Sequence, residues 1–303
     1  MSTVGQLIDQ IRFEYLNPPS ETTVQSPLVG DHTSSQTYIN YTDLFMPEEE
    51  AKIGPGTVVE VETEQMLVVS IDPTANQLTS VQRGYAGTTA TAHSGGVMMS
   101  VAPRHTRDVI LRAVGDAIEG LFPDLFSVNT ALLQPQGNGI SDLDDPDASH
   151  ILFAHSLSGG GWVEVAATIF PGFPEVQVGP AVRVERPGED VYLTYARRFV
   201  RPTAETDDML TVCRVEPFWE KIVKVGAVAG LISGQEIDTT TARYLTELLA
   251  AQSVPIGSTT DVSVGLLRYR ALLMDEAKRN QARSYRPTVH MRPVGDWSMG
   301  RMG

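Results

Sequence analysis

The stretch VVSIDPTANQLTSVQRGYAGTTATAHSGG, residues 68–96, indicates the fold more directly than any other part of the sequence. A strand rich in β-branched residues leads into a turn at residues 72–76, and a second alternating strand runs from there to Arg83. Glycines after Arg83 and at positions 95 and 96 permit positive φ angles and a wide excursion of the backbone. The sequence therefore predicts an antiparallel hairpin that carries a long loop bounded by glycines.

The segments on either side extend this hairpin into a small β unit followed by a helix. Residues 57–61 and 97–101 have the composition of strands, and alternation of apolar and polar residues begins at residues 36–45. Residues 104–121 change to a helical period and stop shortly before a proline. These features predict a small antiparallel β unit plus an amphipathic helix over residues 36–133.

Both ends of the chain are predicted to be extended. Apolar residues at helical spacing between Val4 and Tyr15 predict a short amphipathic helix, and the polar stretch after it gives an N-terminal helix and arm over residues 1–35. Residues 287–303 contain glycines, prolines and methionines without any period, so they form a C-terminal arm without a core of its own.

A second β region and a helical region complete the chain. A stretch rich in Pro, Gly, Asn and Asp at residues 134–149 marks a boundary before a β-sandwich-like insert at residues 150–216. Its predicted strands are residues 151–156, 162–167, 175–184, 190–200 and 210–215. Residues 217–286 form a helical segment, with predicted helices at residues 218–231, 239–251 and 261–283. The fold class is therefore α+β, with a helical core, a small antiparallel β unit, an inserted β-sandwich-like domain and extended termini.

The net charge of the chain argues against one class of function and is unevenly distributed. The net charge of −14 argues against a protein that grips nucleic acid through its phosphates. The charge is uneven, because residues 1–100 hold 12 acidic and 3 basic residues whereas residues 266–303 hold 3 and 8. Such asymmetry is compatible with ordinary solvated faces and with unlike-charged surfaces that meet between copies.

The same composition suits a protein made in a reducing cytoplasm. The single cysteine, Cys213, excludes an internal disulfide and lies in an apolar alternation that predicts a buried thiol. The N-terminus lacks the features of a signal peptide. No run approaches the roughly 20 apolar residues that span a bilayer, so we expect no membrane partner.

No constellation in the sequence predicts catalysis, a cofactor or a metal. Phosphate-cradling loops, paired-histidine zinc helices and nucleophile elbows are all missing. His150 and His155 would point to opposite faces of a strand, which makes a poor metal pair. The acidic loop at residues 142–147 has suitable ligands for calcium but not the spacing of an EF-hand, so a solvated loop is the favoured interpretation.

Two segments resemble proteins of tailed bacteriophages. Residues 68–96, with the loop RGYAGTTATAHSGG, resemble a hairpin that recurs in virion proteins of the neck and tail. The helical stretches EKIVKVGAVAGLISG, TARYLTELLAAQ and LLRYRALLMDEAKRNQARSY, within residues 218–285, look like the helical core of head-to-tail adaptor subunits. This resemblance implies a non-enzymatic structural protein of the virion neck. The protein would be in the host cytoplasm before it is assembled into the virion.

The resemblance also implies partners and contact residues. These partners are other copies of the chain in a ring of about a dozen, the portal protein, and downstream neck or tail proteins, with genomic DNA passing through without specific binding. We expect Arg83 and Tyr85 of the loop, and Arg292, Trp297 and Met299 of the C-terminal arm, to be assembly contacts. A simple adaptor would be mainly helical, so the β region at residues 150–216 departs from the family pattern.

The sequence leaves three other functions open. The first is a structural protein of the phage tail or baseplate, which the β content favours. The second is a carbohydrate-binding module for host recognition, which would expose aromatic residues such as Trp162 and Phe173. The third, a glycan hydrolase, requires two carboxylates such as Glu164 and Glu185 to flank one cleft, which the sequence cannot establish.

Overall fold

The fold is taken from a computed structural model of the protein. It describes residues 2–16, 25–42, 53–103, 105–135, 137, 139–158, 161–170, 180–185, 189–233, 239–251 and 262–285. The chain divides into two compact units, the first made of Met1–Pro123 and Phe199–Met274, the second of Asp124–Arg198 and Asp275–Gly303. Helices and antiparallel sheets both contribute, so the predicted α+β class is confirmed.

The first unit contains a six-stranded antiparallel sheet. Its strands are β1 (Gln25–Pro27), β2 (Ile39–Asn40), β3 (Val58–Val61), β4 (Glu64–Asp72), β5 (Gln77–Gln82) and β6 (Met98–Val101), in the spatial order β1-β6-β3-β4-β5-β2. The predicted hairpin is β4 and β5, in which Val68 pairs with Val81. Its turn forms because the Asp72 carboxylate accepts hydrogen bonds from the amides of Thr74 and Ala75.

Alternation along these strands gives the sheet one apolar core face. The side chains that pack together there are Leu28, Ile39, Tyr41, Ile53, Val59, Val61, Met66, Val68, Leu78, Val81, Met99 and Val101. Strand β1 lies within the predicted N-terminal arm, because pairing with β6 rather than local composition defines it. Of the predicted strand at residues 36–45, residues 43–45 lie outside the described residues.

Five α-helices are described. They are α1 (Val4–Ile11), α2 (Arg107–Glu119), α3 (Glu220–Ile232), α4 (Thr239–Ala251) and α5 (Val262–Ser284). Helix α1 begins with a capping box, in which the Thr3 side chain and the Gln6 side chain satisfy each other's backbone amides. Helices α2 and α3 pack against each other in the first unit. All five lie where the apolar periodicity predicted helices, apart from small differences at their ends.

One predicted strand of the insert is a turn instead. Residues 210–215 alternate in sequence, but the Asp208 carboxylate accepts hydrogen bonds from the amides of Leu210 and Thr211 and from the Thr211 hydroxyl. This side-chain capping bends the backbone and removes it from any sheet. The segment also belongs to the first unit, so the predicted insert boundary at residue 216 is wrong and the second unit's β structure ends by Arg198.

The second unit contains two sheets that share a core. The strands are β7 (Ser127–Leu133), β8 (Ile140–Asp142), β9 (Ala148–Ser158), β10 (Gly161–Glu164), β11 (Ala167–Phe170), β12 (Ala181–Val184) and β13 (Val191–Arg197). They form a four-stranded sheet of order β10-β9-β13-β7 and a three-stranded sheet of order β11-β12-β8. Leu193 and Tyr195 of the larger sheet pack in one core with Val182 and Val184 of the smaller sheet.

Strands β7 and β8 correct the predicted start of this region. The sequence assigned residues 127–133 to the preceding domain and residues 134–149 to a loop, yet β7 pairs with β13 and β8 pairs with β12. Their Asn, Thr and Asp residues are not typical of strands, so local composition does not predict them. Pairing with strands distant in the sequence defines them instead. The predicted strand residues 175–179 lie outside the described residues. Among the described helices none is long and apolar enough to cross a membrane.

Candidate functional site

The glycine-bounded loop of residues 84–96 is anchored by one buried carboxylate, that of Glu64 at the start of β4. The Glu64 side chain is fully buried. Its Oε1 accepts from Arg83 Nε at 2.7 Å and from the Gly84 amide at 3.0 Å, and its Oε2 accepts from Arg83 Nη2 at 2.7 Å and from the Thr91 amide at 2.9 Å. The carboxylate therefore holds both ends of the loop tip to the sheet.

Arg83 connects the same carboxylate to a second segment. Its Nη1 donates to the carbonyls of Thr33 and Gln36 at 2.8 and 2.9 Å, and its Nη2 also donates to the Thr91 carbonyl. Only 7% of the Arg83 side chain is exposed. A planar guanidinium can satisfy a carboxylate and several carbonyls at once, which a lysine cannot do.

His93 closes the far side of the network. Its Nε2 lies 2.9 Å from Glu64 Oε2, and its Nδ1 lies 2.8 Å from an oxygen of Glu62. The backbones of His93 and His32 exchange two hydrogen bonds of 2.8 Å, which join the loop to the segment after β1. Burial lowers the pKa of His32, which favours its uncharged ring.

The network keeps Glu64 ionised in spite of its burial. Loss of solvent acts to raise the pKa of Glu64, but the hydrogen bonds from Arg83, the Thr91 amide, His93 and the Gly84 amide outweigh it and lower the pKa to about 2. A buried carboxylate with this many donors is a stable anion. Because these donors come from the loop and its base, the charge fixes the conformation of the loop.

The tip of the loop is shaped by backbone geometry and remains accessible. Gly84 has a φ of 62°, and a Cβ there would lie 2.8 Å from the Thr88 carbonyl oxygen, so another residue would disturb the turn. The Thr88 hydroxyl donates to the Tyr85 carbonyl at 2.9 Å and accepts from the Gln65 amide at 3.0 Å. Ala86, Gly87 and Thr89 are exposed at the tip.

A cleft of about 430 Å³ borders this tip. Its lining comes from the loop, from the start of α2 and from the turn after residue 202, and includes Thr63, Thr88, Thr89, Asp108, Thr203 and Glu205. Glu205 is already paired with Arg107, whose Nη2 lies 2.6 Å from Glu205 Oε2. Asp108 is likewise paired with Arg112. With both carboxylates engaged, hydroxyl groups are the main uncharged polar groups that line the cleft.

The structure describes two of the five predicted contact residues, Arg83 and Tyr85. Tyr85 is half-buried in the loop, while the guanidinium of Arg83 is occupied by contacts within the chain and presents little surface to another molecule. Its geometry gives Arg83 the role of a positioning residue. Arg292, Trp297 and Met299 lie outside the described residues.

Sequence reasoning missed Glu64 and His93, although a signal was present. Met66 and Val68 face the core, and Glu64 has the same parity along the strand, so its side chain had to point inward. An inward-facing acidic residue requires a buried cation, and Arg83 is at the end of the neighbouring strand. The alternation of side chains along β4 therefore indicated the Glu64–Arg83 ion pair.

Other residues considered from the sequence have structural partners. Asp145 of the acidic loop accepts a hydrogen bond of 2.9 Å from the buried Tyr195 hydroxyl. No three His, Cys, Asp or Glu side chains are grouped to hold a metal ion within the described residues. Cys213 is buried as predicted, and this burial raises the pKa of its thiol to about 12.

No protein-family model matches this chain, and a search of curated proteins finds no match. The function must therefore be inferred from the geometry of the loop and from the resemblance of its sequence.

Proposed function

We propose that the protein is a non-enzymatic structural subunit of a phage head-to-tail connector, an adaptor ring between portal and tail. The observation that carries the proposal is the loop of residues 84–96, whose base is fixed by Glu64 and whose tip is exposed. This loop belongs to the segment that resembles virion proteins of the neck and tail. A protein that assembles by shape needs such a rigid, accessible element.

Rigidity matters because association costs conformational entropy. A loop that is already held in one conformation loses little freedom when a partner binds it, so more of the contact energy appears as affinity. The charged groups at the base of the loop are engaged with one another, and the two carboxylates that line the neighbouring cleft, Asp108 and Glu205, are paired with arginines. This arrangement supports recognition rather than proton transfer or nucleophilic attack.

Charge supports passage of DNA without adhesion. The net charge of −14 repels phosphates, which suits the wall of a channel through which a genome moves. Within a ring, the basic residues of the segment 266–303 would meet acidic surfaces of adjacent copies. In this proposal α3, α4 and α5 are the helical core of the adaptor, the second unit is the β-sandwich-like insert, and the protein is located in the virion neck.

Electron microscopy and native mass measurement test the proposal, on the protein alone and mixed with its cognate portal rings. We expect rings, or monomers that form rings only on the portal. Thr89→Arg should prevent ring formation, because it places a bulky cation at the exposed tip. Thr74→Arg, at the exposed turn between β4 and β5, is the matched control and should assemble normally.

Three outcomes contradict the connector role. Monomers that ignore portals would reject it, as would normal assembly of a Thr89→Arg variant whose fold is intact by circular dichroism. Assembly with tail-tip proteins instead of portals would move the protein to the tail or baseplate.

A further inference from the structure

The outer face of the four-stranded sheet in the second unit carries a pair of exposed aromatic rings. Trp162 on β10 is 60% exposed and Tyr192 on β13 is 49% exposed. Their ring centroids lie 4.9 Å apart with an interplanar angle of 81°, so the edge of one ring meets the face of the other. Such a pair leaves aromatic surface open to solvent in a fixed orientation.

Strand register places two leucines on the same face. Trp162 lies opposite Leu157 of β9, and Tyr192 lies opposite Leu132 of β7. Opposed residues in an antiparallel pair point to the same side of the sheet. Leu157 is 58% exposed and Leu132 is 50% exposed, whereas Val191, on the other side, is fully buried in the core. We name Trp162, Tyr192, Leu157 and Leu132 the aromatic platform.

The platform is too small to be a protein interface on its own. Four half-exposed side chains of this kind present roughly 400 Å² of apolar surface, whereas a stable interface takes about 800 Å² from each partner. That area nevertheless suits one or two rings of a sugar. Apolar patches of this size are about as large as monomeric proteins usually expose, and such patches are often functional.

Polar side chains lie among these apolar ones on the same face. His155 lies opposite both Tyr192 and Glu164, and Thr194 lies opposite Thr130. Carboxylate, imidazole and hydroxyl groups bind sugar hydroxyls, while the apolar C–H face of a pyranose ring packs on an aromatic ring. Glu164 and the net charge of −14 disfavour anionic ligands, including nucleic acids and acidic sugars.

We infer that the aromatic platform is a binding site for neutral oligosaccharides. This inference does not depend on the proposed connector role, because it concerns a different unit of the chain and different residues. Either can fail while the other holds.

Saturation-transfer NMR and tryptophan fluorescence on the whole protein test the inference. The probes are the neutral tetrasaccharides chitotetraose, cellotetraose, maltotetraose and β-1,4-mannotetraose. We expect saturable binding of at least one probe, with Kd about 0.1–1 mM. Trp162→Ala and Tyr192→Ala should each weaken that binding about tenfold or more, since each removes a stacking surface. Phe218→Ala is the matched control, because Phe218 is also 60% exposed but lies in the other unit.

Three results would overturn the inference. The first is no saturable response to any probe at about 10 mM, and the second is binding that survives Trp162→Ala. The third is a protein that sediments as a dimer and becomes monomeric on Trp162→Ala, which would make the platform a contact between copies.

Discussion

Two partly buried arginines in the first unit have hydrogen-bond partners of opposite kinds, a carboxylate for Arg83 and backbone carbonyls for Arg270. The guanidinium of Arg83 meets the Glu64 carboxylate through two hydrogen bonds of 2.7 Å. Among the described residues, Arg270 on α5 has no hydrogen bond to a carboxylate, and its Nη2 donates instead to the carbonyls of Ala117 and Gly120 at 3.2 and 3.1 Å. Burial lowers the pKa of Arg270.

The difference shows that a partly buried guanidinium group can be stabilised either by a carboxylate or by the carbonyl groups at the C-terminal end of a helix. The Ala117 and Gly120 carbonyls lie at the C-terminal end of α2, which is the negative end of the helix dipole, so they suit Arg270 without any acidic residue. The space for Arg270 comes from Gly226 on α3, where a Cβ would lie 2.9 Å from Arg270 Nε. The Arg83 site therefore depends on one ionised group, and the Arg270 site depends on a missing side chain.

Glu64→Gln should give the largest effect, because it leaves Arg83 buried without its counter-ion. We expect a loss of about 3–5 kcal/mol in the free energy of unfolding. Urea denaturation followed by tryptophan fluorescence measures it, since the buried Trp219 reports on the first unit. Hydrogen exchange at the Thr91 amide should accelerate in parallel.

The control for this variant is Glu62→Gln. Glu62 also contacts His93, but its side chain is 53% exposed, so we expect a loss below about 1 kcal/mol. Equal losses in both variants would mean that the buried carboxylate has no special role.

Acid should weaken the Arg83 site through the same carboxylate. The pKa of Glu64 is about 2 in the folded protein against an ordinary value of 4.5, so its stabilisation is complete above pH 4.5 and is lost as the pH falls towards 2. The full contribution is about 3 kcal/mol. Unfolding free energies of wild type and Glu64→Gln, measured between these pH values, should converge on acidification. Parallel pH curves would contradict the assignment.

Arg83→Lys separates charge from geometry. The lysine keeps the positive charge but cannot bind both carboxylate oxygens and the three surrounding carbonyls, so we expect a loss of about 2 kcal/mol. Denaturation under the conditions used for Glu64→Gln checks this. A variant as stable as wild type would show that charge alone stabilises the loop.

The smallest expected effect tests the Arg270 site with two glycines of one helix. Gly226→Ala crowds Arg270 and the Ala117 side chain, whereas a Cβ at Gly230 meets nothing within 4 Å. We expect Gly226→Ala to destabilise by about 1 kcal/mol, and Gly230→Ala to stabilise by about 0.5–1 kcal/mol through helix propensity. Thermal unfolding compares the two, and a shift of the same sign in both would refute the packing argument.

The hairpin of β4 and β5 and the helices could be predicted because their signals are local. Alternation, a turn-forming Asp72 and apolar spacing along a helix all act over a few residues. Strands β1, β7 and β8 could not, since their pairing partners lie far away in the sequence. Residues 210–215 show the reverse case, where Asp208 overrides a strand-like alternation.

The site was predicted in part. The loop was recognised from its glycines, but Arg83 was interpreted as an assembly contact because its loop resembles virion proteins of the neck and tail. Its true environment depends on Glu64, 19 residues earlier, and on the Thr33 and Gln36 carbonyls. Composition does not reveal that these groups meet at Arg83. The position of Glu64 on the core-facing side of β4 does indicate that a buried cation must lie nearby.

The two outermost strands of the six-stranded sheet determine whether its edges can pair with the backbones of other copies. As described, β1 has three residues and ends in Pro27, which has no amide hydrogen to offer, and β2 has only two residues. The two edges also bond to each other, because the Thr42 amide donates to the Pro27 carbonyl at 3.0 Å and the Val29 amide donates to the Asn40 carbonyl at 2.9 Å. Short edges that are paired with each other resist fusion with identical neighbours. In the ring proposed above, neighbouring copies would therefore touch through side chains and loops while their backbones remain separate, and the ring would not become an aggregate.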